Sequence, residues 1–114
     1  MIRSPRERVT SIEVRTAAAL NQPAGVHNLA AMLDKGEGAP RDSEQAADLI
    51  MRAMRMGHEF SYRQMMQNSK GYTQELRMGI QKRLRDEKLY TGPINGDFNQ
   101  ATLNALTSFF NRRR

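Results

Sequence analysis

Asn95, Asp97 and Asn99 stand at alternate positions in the stretch YTGPINGDFNQATLNALTSFF, residues 90–110. Three oxygen-bearing side chains at that spacing open a twelve-residue calcium loop. The sixth position here is Gln100, where such a loop needs Gly, and the twelfth is Leu106, where it needs a bidentate Glu, so calcium is not expected. Gly36-x-Gly38 lacks the Gly-Lys-Ser/Thr of a phosphate cradle and follows a helical pattern, so it reads as a turn. His27 and His58 are the only histidines and cysteine is absent, which leaves too few ligands for zinc. Asp86 and Glu87 are neighbours that point apart on a helix. Glu44 and Asp48 share a face at i, i+4 near a helix start, where negative charge suits the dipole. Neither pair reads as the opposed carboxylates of a glycosidase, and no Ser-His-Asp arrangement is suggested. The chain is therefore expected to be non-catalytic, with no cofactor and no metal. What remains is a polar rim of Asn95, Asp97, Gln100 and Thr102 behind Tyr90, which either caps a turn or hydrogen-bonds a ligand. Arg83, Arg85 and Lys88 precede it, as a solvated helix face or as partners for carboxylates.

Helices must position these groups. Ser4-Pro5-Arg6-Glu7 has the form of a helix start, predicting a helix from Pro5 to Leu20 that stops before Gln22-Pro23. Val26, Leu29, Ala30 and Leu33 mark one apolar helix face, ended by Gly36. Asp42 caps the next helix, whose stripe is Ala46, Leu49, Ile50, Ala53 and Met54 or Met56, and Gly57 ends or bends it. Residues 58–68 form a less clearly patterned third helix containing Phe60, Met65 and Met66, and Asn68-Ser69-Lys70-Gly71 is a turn cluster. Thr73 caps a helix with Leu76, Ile80 and Leu84 inside. Gly92-Pro93 and Asn95-Gly96 make the following turn, and Asn99 caps a last helix carrying Leu103, Leu106 and Phe109 or Phe110. No stretch alternates with period two, so the fold class is all-α. With 114 residues and no disulfides, one continuous core is expected, rather than two separate lobes. Most of the methionines fall on these helices and are expected to fill gaps in a core without Trp.

The net charge of +6 comes from fourteen Arg and four Lys against 12 acidic residues, and favours anionic partners. The arginines are dispersed, apart from clusters at 3–8 and 112–114, and lack interleaved aromatics, so no specific nucleic-acid binding is expected. No apolar run approaches the ~18 residues of a membrane span. Glu7, Glu13 and Arg15 interrupt any signal-peptide core. A periplasmic or cell-envelope location is expected only with a signal upstream of this chain.

Two segments resemble known families. Residues 24–59, through Ala24, Leu29, Ala30, Gly36, Gly38, Pro40, Asp42, Ala46, Arg52, Ala53, Gly57 and His58, resemble a Sel-one-like repeat, a relative of the tetratricopeptide repeat. The resemblance implies a helix hairpin that serves as a scaffold, with residues 5–20 as a worn helix of a preceding copy. Residues from about 73 to 111 resemble a peptidoglycan-binding-like domain through Leu76, Ile80, Gln81, Leu84, Leu89, Tyr90, Gly92, Pro93, Ile94, Gly96, Phe98, Thr102, Ala105, Leu106 and Phe109. Asn95 stands where that family has Asp, Asn99 where it has Gly and Phe110 where it has Gln. The expected organisation is an N-terminal helix (1–21), a Sel-one-like helix pair with an extra helix (24–68), a three-helix peptidoglycan-binding-like domain (73–111) and a basic tail (112–114). The resemblance implies an attachment module that forms the C-terminal part of a larger exported protein. Tyr90, Asn95, Asp97, Gln100, Thr102 and Arg83 would contact peptidoglycan or a related anionic wall polymer. The alternative is an interaction module for an acidic protein partner, in which only the fold of that domain survives.

Overall fold

The computed structural model describes residues 22–112. The predicted helix at residues 5–20 and the last two arginines of the tail lie outside them. The described residues form five α-helices and no strand, so the fold is all-α. In chain order they are α1 (Pro23–Lys35), α2 (Ser43–Arg55), α3 (Glu59–Gln67), α4 (Gln74–Asp86) and α5 (Gln100–Arg112), with a single 3-10 turn at Ser69–Gly71.

Local chemistry sets most of these boundaries. Pro23 opens α1, and Gly36 closes it in the left-handed conformation. The Asp42 carboxylate accepts the Gln45 N–H at 3.0 Å and starts α2. Gly57 turns the chain out of α2, where the His58 N–H reaches back to the Ala53 carbonyl at 3.0 Å. Thr73 Oγ1 accepts the Leu76 N–H at 3.1 Å to start α4, and Asn99 Oδ1 accepts the Thr102 N–H at 3.0 Å to start α5. At the exit of α4 the αL position is filled by Lys88, with φ 63°, although that conformation favours Gly.

α1 and α2 form a tight hairpin in which Ala30, Ala46 and Ala53 are fully buried, and Ala47 faces Gly79 of α4. α2 then packs on α4, and α5 crosses α3 and α4. One core runs through the molecule. It contains Ile50, Met54, Met65, Leu76, Ile80, Leu84 and Leu106, all fully buried, together with Phe109 and Phe110, while Ile94 and Phe98 pack on its edge. Each such aliphatic side chain contributes about 1.5–3 kcal/mol relative to exposure. Met51, Met54 and Met65 are core residues, while Met56 is exposed. Phe110 has a visible reason. Its ring stacks on Tyr62 of α3 at 4.4 Å, and the Tyr62 hydroxyl donates to Thr107 Oγ1 at 2.8 Å, since Thr107 spends its own proton on the Leu103 carbonyl. This joint ties the α1–α3 segment to the last helix.

A second joint is polar. Asp34 is fully buried near the end of α1. Its Oδ1 accepts from the hydroxyls of Ser43 (2.8 Å) and Thr73, and its Oδ2 accepts the Thr73 N–H at 2.9 Å. One carboxylate thus fastens the end of α1 to the starts of α2 and α4. In Asp34→Asn the amide NH2 must face one of these donors. Urea unfolding is expected to show a loss of about 2 kcal/mol, with an unchanged m-value.

Candidate functional site

The turn between α4 and α5 is built around Gln81, whose carboxamide is fully buried. Its Oε1 accepts the backbone N–H groups of Asn95 (3.1 Å) and Gly96 (2.8 Å), and its Nε2 donates to the Asp97 carbonyl (2.9 Å) and to Thr102 Oγ1 (3.1 Å). Two acceptor lone pairs and two N–H groups are the full capacity of the side chain. The Tyr90 hydroxyl lies farther off at 3.4 Å and donates its own proton to the Pro93 carbonyl at 2.7 Å. Gln74 Nε2 and Arg77 Nη1 hold the carbonyls of Asn95 (3.0 Å) and Gly96 (2.7 Å) from the α4 side. The turn can lie this close only because residue 96 is Gly: φ is 81°, and an added Cβ would come 2.8 Å from Gln74 Cγ.

The residues singled out in the sequence divide into three groups. Tyr90 and Thr102 are buried and build the turn from inside. Asn95, Asp97 and Gln100 are exposed on its rim. Asn95 Oδ1 accepts the Asp97 N–H at 2.9 Å, and Gln100 donates to Asn104 at 2.9 Å. The Asn95 Nδ2 and the Asp97 carboxylate have no partner among the described residues. Arg83 faces the other way. It pairs with Asp48 and, at 3.0 Å, with Glu44 across the α2–α4 joint. Hydrogen bonds from Lys82 and Arg83 hold the Glu44 carboxyl below the ordinary range. Arg85 and Lys88 are exposed.

Long-range polar contacts add groups that spacing alone does not reveal. His27, Ser61, His58 and Tyr72 form a chain of hydrogen bonds. Tyr72 donates to Gln64 Oε1 at 3.1 Å, so His27 Nε2 must donate to the Tyr72 oxygen at 2.9 Å. His27 Nδ1 then accepts the Ser61 hydroxyl at 2.7 Å, and Ser61 accepts from His58 Nδ1 at 2.8 Å. Burial, and secondly the neighbouring His58, lower the His27 pKa to about 4. Burial, and secondly Arg63, lower that of His58. Ser61 is fully buried, so its hydroxyl is a structural link beyond the reach of a substrate. Among the described residues no three His, Asp or Glu side chains converge to hold a metal ion. A cleft of about 440 Å³ opens between the end of α1 and the start of α4, lined by Asp34, Lys35, Arg41, Gly71, Tyr72 and Thr73. The carboxylate at its floor already has its donors. No described helix is long and apolar enough to cross a membrane.

Compared with protein-family models, with curated proteins and with solved structures, the chain finds no match.

Proposed function

We propose that this protein is a non-catalytic attachment module, whose Tyr90–Thr102 turn contacts peptidoglycan or a related anionic wall polymer. The supporting observation is the fully satisfied carboxamide of Gln81. It holds the backbone of residues 95–97 from inside, so the exposed side chains of Asn95 and Asp97 start from a fixed backbone, which lowers the ordering cost on binding, and Gln100 opens the helix beside them. Preorganised amide and carboxylate groups suit sugar hydroxyls and peptide N–H groups. Sedimentation with insoluble peptidoglycan is the test. The native protein is expected to be retained at low and at moderate salt, and Asn95→Ala/Asp97→Ala is expected to lose at least tenfold in retention. Failure of the native protein to sediment at low salt defeats the reading, and retention that vanishes at moderate salt reduces it to charge attraction.

A second reading rests on a different surface. Phe60 and Met56 are the exposed large hydrophobic residues near the α2–α3 corner, 46% and 39% accessible, and favour a module that binds a protein partner there. Under this reading Phe60→Ser abolishes partner capture and leaves peptidoglycan sedimentation unchanged.

A further inference from the structure

Among the described residues three basic side chains are half-buried, and all lie on α4: Arg77, Lys82 and Arg83. Lys82 pairs with Glu44, and Arg83 pairs with Glu44 and Asp48. Among the described residues Arg77 has no carboxylate partner. Its Nη1 donates to the Gly96 carbonyl at 2.7 Å, and its Nε is buried without an acceptor. Its Nη2 has no partner among the described residues and is not sealed by them. A carbonyl offers a dipole and no counter-charge. Partly desolvating a guanidinium and sealing one of its N–H groups without an acceptor is costly in a native fold. The rest of α4 shows how such a cation is ordinarily neutralised. The missing element at Arg77 is an anion, and it is missing beside the turn with the free Asn95 Nδ2.

We propose that Arg77 is the anion-recognition residue of this turn and takes a carboxylate of the ligand. Nη2 is the donor left for a carboxylate, with the Nη1 hydrogen that the Gly96 carbonyl does not take as the second prong of the fork under this proposal. The Asp97 carboxylate on the same turn repels an acid placed next to it and accepts N–H or O–H groups, so the two residues orient the ligand, acid toward Arg77 and donors toward Asp97. The source of the carboxylate rests on the attachment reading, which makes it the acidic end of a wall peptide stem.

The sealed Nε–H exchanges slowly with water and is a reporter in the native protein. Its NMR resonance is expected to shift saturably with sodium acetate, and not with sodium chloride at equal ionic strength. A response no different from that to chloride overturns the proposal. A soluble muropeptide with free stem carboxylates is expected to bind the native protein at least tenfold tighter than its methyl ester. Arg77→Lys, which keeps the charge and loses the fork, is expected to bind both equally and weakly. If the native protein sediments with peptidoglycan but binds acid and ester alike, the attachment reading stands and the role of Arg77 is refuted. If acetate shifts the Nε–H saturably while peptidoglycan is not retained, the anion site is upheld and the wall polymer is refuted as its source.

Discussion

Gln81→Leu is expected to cost about 4 kcal/mol of unfolding free energy, since it removes four good hydrogen bonds and leaves the Asn95 and Gly96 N–H groups without their acceptor. The apolar volume is nearly kept, so the loss reports the polar knot and not a cavity. Gln81→Glu separates the two halves of the knot. A carboxylate still accepts from Asn95 and Gly96 but is buried and sets an oxygen against the Asp97 carbonyl, so a loss of similar size is expected with the two N–H groups still held. Urea unfolding measures both. Hydrogen exchange at Asn95 and Gly96 is expected to rise to the rate of an open loop in the Leu variant and to stay slow in the Glu variant. Equal exchange in native protein and Leu variant would show that Gly92, Pro93 and Gly96 hold the turn without Gln81. Under the attachment reading peptidoglycan retention falls in step with exchange, because the rim is then no longer fixed.

What the sequence discloses about this turn is its local half. The caps Asp42, Thr73 and Asn99 act within three residues of themselves, and the stops at Gly36 and Gly57 act on the turn just before them. All are therefore visible in one dimension. The stripe of Leu76, Ile80 and Leu84 is a matter of period, and each of the three is fully buried. The third helix is harder to read because its inward face carries Ser61 beside Met65. A buried hydroxyl looks like surface until its partner, His27, is known to lie 34 residues away. Asp34 illustrates the same limit. In the sequence it is the polar end of a helix, and its role exists only because Thr73, 39 residues on, folds against it. Glu44 and Asp48 are visible as acids near a helix start, which suits the dipole, but the fold also sets them against Arg83. Gln81 stands out as a motif residue, while Arg77 carries no signal at all. A half-buried cation can be recognised as lacking a carboxylate among the described residues only after the described carboxylates have been located.

The His27 chain predicts a stability that falls in acid. In the folded protein His27 is 3% exposed and its pKa is lowered to about 4, against an ordinary value near 6.5 once unfolded. Between those values the unfolded chain binds a proton that the folded one does not. Stability therefore declines as pH falls from about 6.5, and the loss is complete near pH 4, where it reaches about 3 kcal/mol. The geometry says why the proton is disfavoured. Neutral Nδ1 accepts from Ser61 and Nε2–H is committed to Tyr72, so a proton on Nδ1 would place a charge in a buried site and force the Ser61 hydroxyl to turn toward His58 Nδ1. His58 adds a loss of the same sign, because its pKa is also lowered, although Nδ1–H can still donate to Ser61 when Nε2 takes the proton. His27→Gln separates the two, since a carboxamide can accept from Ser61 and donate to Tyr72 at any pH. The variant is expected to be less stable than the native protein at pH 7, and the difference should close or reverse by pH 4. Parallel stability curves for the two proteins from pH 7 to pH 4, measured by urea unfolding, would show that His27 keeps its ordinary pKa and that the acid sensitivity arises elsewhere.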